Sequence, residues 1–192
     1  MLRIAVFDQS SNKTGYAVFS GTGLTRWGVI NLSKEKDVSS RIKDMCLEIN
    51  TIIDKVKPDI VIFEDVNLRT SPKTLIMLAQ IQGCIMMSCF LSGIKFAKYA
   101  PATWRRIIGI TQNNKTKRAN LKEQAMAFVR AGYGINVGDD CAEAICIGLA
   151  HLKNENLLPD LENLKRSKKN SKESNDGKEN VCKQDGQDNQ GK

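Results

Sequence analysis

The chain has 192 residues and a mass of 21.3 kDa, enough for one domain of ordinary size with an appendage and too little for two large lobes. Hydrophobic residues make up 41% and charged residues 26%, and every long apolar run meets a polar or charged break, so no membrane span is expected. The net charge is +8, and its placement is uneven: of 29 basic and 21 acidic residues, 9 and 8 lie from Lys153 onward, which leaves +7 for residues 1–152. A basic folded part favours a polyanionic partner, nucleic acid first. Asp8 arrives too early for a signal peptide, so the expected location is cytoplasmic.

In chain order, residues 2–7 form an apolar, partly β-branched run that ends at Asp8 and predicts a buried strand. Residues 15–20 and 23–32 predict two more strands. Their short polar links imply an antiparallel meander. From Ser39 to Val56, Ile42, Met45, Cys46, Ile49, Ile52 and Ile53 recur at helical spacing, and Pro58 closes that helix. Residues 59–63 predict a short buried strand ending at Glu64. A strand reached through a helix implies a parallel crossover and an α/β sheet.

Residues 73–92 predict a long helix, apolar on most sides, which suits either the core or a dimer surface. Residues 94–99 predict another strand. Pro101 then opens a short helix carrying Trp104, Arg105 and Arg106. A basic loop from Thr111 to Arg118 leads to a helix near 118–131, and a last helix spans about 140–152. Residues 163–192 are too polar to offset their ordering entropy, so residues 153–192 are expected to form a disordered tail.

The six cysteines (46, 84, 89, 141, 146, 182) form no C-x-x-C pair, and the single histidine leaves no zinc site of familiar spacing. Cys84, Cys89, Cys141 and Cys146 lie in apolar stretches and read as small buried hydrophobes. Only His151 is available to activate a thiol, which disfavours cysteine catalysis.

Four carboxylates stand out. Asp8 and Glu64 end strands, and Asp140 and Glu143 lie three residues apart on one face of the last helix. Each has an ordinary structural reading. Asp8 would start a turn, Glu64 would leave the sheet for water, and Asp140 and Glu143 would form a helix cap with its capping-box partner. Together they carry more. Ligand sites of open α/β sheets lie at the carboxyl ends of parallel strands. Several carboxylates gathered there repel one another unless cations bind, and hard oxygen donors suit Mg²⁺ or Mn²⁺. Two such ions about 4 Å apart activate water against a phosphodiester without any histidine.

The segments Ile4-Ala5-Val6-Phe7-Asp8 with Thr14-Gly15-Tyr16-Ala17, Val61-Ile62-Phe63-Glu64-Asp65-Val66, and Asp140-Cys141-Ala142-Glu143 running on to His151 resemble RuvC-type Holliday junction resolvases of the RNase H-like superfamily. The resemblance spans roughly residues 2–152. It implies an α/β fold with an RNase H-like mixed five-stranded sheet flanked by helices, as a nuclease domain over residues 1–152. It also implies a homodimeric, Mg²⁺-dependent endonuclease that nicks a four-way DNA junction in pairs, with two ions per site and Mn²⁺ as a substitute. Asp8, Glu64, Asp140 and Glu143 would be the metal ligands and catalytic residues. Asp139 rivals Asp140 if the register slips by one.

Two departures matter. The family usually carries Asp where Glu143 stands, and the loop Asn67 to Pro72 lacks the aromatic wedge common after the second acidic strand. The missing wedge fits the broader branched-DNA cleavage of phage-borne relatives. Arg69, Lys73, Arg105, Arg106, Lys115, Lys117 and Arg118 are expected to hold DNA phosphates, with a solvated basic face as the plain alternative. Trp104 is either a core anchor or a base-stacking platform, and His151 reads as helix-end packing or a C-terminal charge. Two other readings compete. A catalytically silent nucleic-acid-binding relative gains nothing from clustered carboxylates, and a sugar-kinase-like phosphotransferase needs two such domains and a second phosphate loop.

Overall fold

The computed structural model describes residues 1–35, 37–66, 71–113 and 115–158. Arg69 and the rest of the segment 67–70, together with residues 159–192 of the expected tail, lie outside these described residues.

Five strands form one sheet in the order β3-β2-β1-β4-β5: β1 (Arg3–Asp8), β2 (Lys13–Ser20), β3 (Gly23–Asn31), β4 (Ile60–Glu64) and β5 (Lys95–Tyr99). β1, β2 and β3 pair antiparallel, as the short links require, and β1-β4-β5 pair parallel. The crossovers are α1 (Val38–Val56) and α2 (Pro72–Leu91). After β5 come α3 (Pro101–Ile108), α4 (Arg118–Tyr133) and α5 (Asp139–Asn154).

Strand alternation sorts the core into two layers. Ile4, Val6, Ala17, Phe19 and Ile62 face α3, α4 and α5, with Trp104, Leu121, Ala125 and Ile145 packed on them. Ala5, Phe7, Val61 and Phe63 face the other way, onto Met45, Ile49 and Ile53 of α1 and Ile81, Ile85 and Cys89 of α2. Because β1 and β4 are buried on both faces, they read as continuous apolar runs rather than as alternating ones.

α5 is buried along nearly its whole length. Its fit depends on two glycines. A Cβ at Gly148 would lie 2.3 Å from the Phe19 ring, and one at Gly15 would lie 1.9 Å from the Asp140 carbonyl oxygen. Only a hydrogen at those positions lets the helix lie this close to the sheet.

α2 corrects the choice between core and surface, because it serves both. Ile81, Gln82, Ile85 and Cys89 are buried, whereas Ile76, Met87, Phe90 and Leu91 are 57–82% exposed. By length and composition α2 is apolar enough to cross a bilayer, yet Gln80, Gln82 and Ser88 interrupt it and one side packs on the sheet. Cys84 is exposed, contrary to expectation, because it sits on the outer side of this helix, while Cys89, Cys141 and Cys146 are buried free thiols. α1 ends at Val56 on a left-handed Lys57 (φ 47°), one residue before Pro58.

Candidate active site

The sheet register brings the two strand-ending carboxylates together. Val6 pairs with Ile62 and Phe7 with Phe63 across the parallel β1 and β4, so Asp8 and Glu64 follow side by side at the carboxyl ends. By alternation both share a face with Val6 and Ile62, the face that α5 covers. On the other side of β1, Asp8 pairs with Gly15, and the Asp140 backbone rests on that glycine. The start of α5 therefore lies over the same corner of the sheet, with Asp140 in its first turn and Glu143 one turn further on.

The electrostatics show how near these groups are. Burial pushes the Asp8 carboxyl well above the usual carboxylate range, and the charges of Glu64, Glu143 and Asp140 add to the rise. Glu64 is pushed up from an ordinary 4.5 to about 7, by burial first. A hydrogen bond from Trp104 and the charge of Arg105 oppose that rise. Asp140 is raised by burial and by its neighbour Asp139. Asp139 goes the other way, pulled down by the hydrogen bond from Lys122. Asp139 is the hydrogen-bond partner of Lys122, while Asp140 also feels Lys122 and Lys13 and is one of the charges that raise Asp8.

The capping-box reading of Asp140 and Glu143 is overturned. The N-cap of α5 is Gly138, no side chain caps it, and Asp140 lies inside the first turn. Glu143 is instead 7% exposed and ion-paired to Arg105, with Nη2 to Oε1 at 2.9 Å.

Trp104 is fully buried, which removes the base-stacking alternative, and its Nε1–H donates to Glu64 Oε2 at 2.8 Å. Arg105 does not present its charge at the surface as expected. It turns inward onto Glu143, with its guanidinium 4.5 Å from the Trp104 ring centre. Arg106, Lys73, Lys115, Lys117 and Arg118 are exposed, and the field of Arg118 reaches Glu64. Asp65 is a surface acid paired with Lys98 at 3.0 Å. His151 is buried, with Nδ1 2.9 Å from the Tyr99 hydroxyl, and burial lowers its pKa, so it is a packing residue rather than a helix-end charge.

Four residues escaped the sequence reading. Gln9 and Gln82 both donate side-chain amides to the Glu64 carbonyl, Gln82 at 2.8 Å, and so hold the end of β4. Lys13 and Lys122 place positive charge beside Asp140 and Asp139. Only Gln9, adjacent to Asp8, carried a local signal, because the others reach the site through tertiary packing.

Among the described residues, no group of three or more His, Cys, Asp or Glu side chains is placed so that it could hold a metal ion as it stands. The donor chemistry nonetheless fits a hard divalent cation. The groups are all carboxylates, Glu143 is buried and the other three are half-buried, and burial first, then neighbouring carboxylates, raises Asp8 and Asp140.

The sequence profile of the family described as crossover junction endodeoxyribonuclease RuvC matches residues 4–151. The chain belongs to this family. Among curated relatives, the RuvC of Fusobacterium nucleatum is 26% identical over 155 residues, covering 79% of this chain and 80% of its own. That of Prochlorococcus marinus is 29% identical over 163 residues, covering 80% and 98%. Among solved structures, Thermus thermophilus RuvC in complex with Holliday junction substrate aligns with a TM-score of 0.66 at 15% identity, covering 82% of this chain and 96% of that one. The fowlpox virus resolvase, in complex with Holliday junction DNA, aligns at 0.55 and 17%, covering 82% and 100%. At these identities the structural likeness establishes the fold: the mixed five-stranded sheet and its five helices are those of the RuvC fold.

Proposed function

We propose that this chain is a structure-selective DNA endonuclease that resolves four-way junctions, and acts on other branched DNA, by paired phosphodiester hydrolysis dependent on Mg²⁺. The observation that carries this reading is the largely half-buried set of carboxylates on one face of the sheet, whose charges converge on Asp8. Asp8, Glu64, Asp140 and Glu143 would hold the metal, two ions per site, with Mn²⁺ as a substitute. The ions, when bound, supply positive charge and an activated water.

The chain's own residues do the rest. Trp104, Gln9 and Gln82 hold Glu64 by side chain and backbone, so its carboxylate keeps one orientation. Asp140 lies in the first turn of α5, where the helix dipole opposes part of the rise that burial and Asp139 cause. Lys13, Lys73, Arg106, Lys115, Lys117, Arg118 and Lys122 take the DNA phosphates, a sequence-independent grip that weakens as salt rises. The outer side of α2 is the homodimer surface, because its exposed apolar side chains need cover and a twofold pair supplies two sites for two nicks.

The test is cleavage of a labelled four-way junction, a fork and a matched linear duplex, in Mg²⁺ and in EDTA. The reading expects paired nicks in the junction with Mg²⁺, weaker cutting of the fork, and an intact duplex. Tight junction binding without cleavage in either Mg²⁺ or Mn²⁺ contradicts it and makes the protein a silent binder.

A further inference from the structure

Arg105 occupies an unusual position for a residue of a basic nucleic-acid surface. Its side chain is only 11% exposed. One guanidinium nitrogen meets Glu143 at 2.9 Å, the group lies over Trp104, and Trp104 in turn holds Glu64. The positive charge thus sits within the acidic site. The hydrogen bonding of the guanidinium is incomplete, however. Nε is buried and has no partner among the described residues, and Nη1 reaches Gln112 only at 3.5 Å. A buried guanidinium normally satisfies most of its five donors. This one is held by charge and by the Trp104 ring more than by a full donor set.

Glu143 cannot lie buried and ionised without a cation beside it, since an isolated buried charge is costly. In this structure that cation is Arg105. A divalent ion at the same carboxylate would compete for the same oxygen and repel the guanidinium.

We propose that Arg105 is a resident counter-ion of the acidic site, paired with Glu143 until a divalent cation takes that carboxylate and displaces it. The proposal rests on the reading of Glu143 as a metal ligand, and it makes Arg105 a positioning residue that sets metal affinity. The exchange keeps the site closed to weakly bound metal and lowers affinity by the cost of breaking the ion pair.

The experiment is calorimetric titration of Mn²⁺ and Mg²⁺ into the full chain, its R105Q and R105K variants and Asp8→Asn, alongside thermal unfolding of each without metal. R105Q is expected to unfold at lower temperature without metal and to bind Mn²⁺ about ten-fold tighter than the wild type, within the usual range for two coupled sites. R105K keeps the charge but makes one hydrated contact instead of a planar fork, so its affinity falls between the two. If R105Q fails to fold, the order of R105K and wild type carries the test. Equal Mn²⁺ affinity in wild type and the Arg105 variants, with binding lost in Asp8→Asn, overturns the exchange and leaves the metal site standing. No binding in any form overturns the metal site and the exchange together.

Discussion

The indole N–H of Trp104 donates to the carboxylate of Glu64 at 2.8 Å, although the two residues are 40 positions apart in the chain. This bond ties α3 to the end of β4 and leaves one Glu64 oxygen spoken for by the protein. Trp104→Phe keeps the ring in the core and deletes the donor. The expected result is a folded protein about 1–2 kcal/mol less stable, because a buried acceptor loses its partner. Junction cleavage should fall about ten- to hundred-fold, the scale at which supporting groups around a metal site act. Its pH profile should shift upward, since the bond from Trp104 is the largest of the interactions that oppose the rise of the Glu64 pKa. An unchanged profile in a steady-state cleavage assay would show that the bond is structural only.

Stability of the metal-free protein should depend on pH in a defined direction. Glu64 titrates at about 7 in the fold, against 4.5 when ordinary, and burial is the main cause. A carboxyl raised by folding binds its proton more tightly in the native state. Its contribution is therefore fully present below about pH 4.5 and is lost as pH rises through about 7. The loss is on the order of 3 kcal/mol from this group. Denaturant unfolding in EDTA between pH 5 and about pH 8 should show the decline. A decline no steeper in wild type than in Glu64→Gln contradicts the assignment of Glu64 as a carboxyl raised by burial.

Gly15 is where the sequence allows α5 to reach the site. A methyl group there meets the Asp140 backbone at 1.9 Å, a contact that no side-chain rotation relieves. Gly15→Ala should cost about 2–3 kcal/mol, as overpacking does, and should move the first turn of α5. Thermal unfolding checks the first effect, and loss of cleavage in the variant that still folds checks the second. Wild-type stability and cleavage together would contradict the close approach.

The outer face of α2 should hold two chains together. Ile76→Glu with Met87→Glu puts charge on residues 60% and 57% exposed in the single chain, so the fold should survive. Sedimentation should show a dimer for the wild type and a monomer for the double variant. Paired nicking of a junction should become single and slow. A wild-type chain that sediments as a monomer at about 10–100 μM, where a stable homodimer would persist, contradicts the dimer.

Most of the fold was legible because its signals are local. The apolar runs at β1 and β4, the helical spacing of α1 and the short polar links each predict their element within one or two residues. A parallel crossover through α1 was legible from the connection, whereas the order that sets β4 beside β1 was not. The acidic residues were legible from local signals too: Asp8 and Glu64 end strands, and Asp140 with Glu143 share a helix face. What stayed hidden depends on packing between distant segments. Nothing around Arg105 distinguishes it from Arg106, yet one turns onto Glu143 and the other into solvent. The pairing of Asp139 with Lys122 was hidden because Lys122 lies on another helix. The exposure of Cys84 and of half of α2 could not be read from an apolar run, because an exposed apolar face and a buried core have the same composition.

The central claim is that the Asp8 cluster, and not the basic surface alone, is the working site. The direct measurement compares wild type with Asp8→Asn on one four-way junction labelled in each strand, recording binding by electrophoresis and cleavage in Mg²⁺. The account predicts that Asp8→Asn binds the junction as tightly as wild type or tighter, since a buried repelling charge is removed. Cleavage should be lost by on the order of a thousand-fold, as when one essential charge-handling group is deleted. Asp8→Asn that still cuts within about ten-fold of wild type, which is less than 1.4 kcal/mol of barrier, would contradict the account.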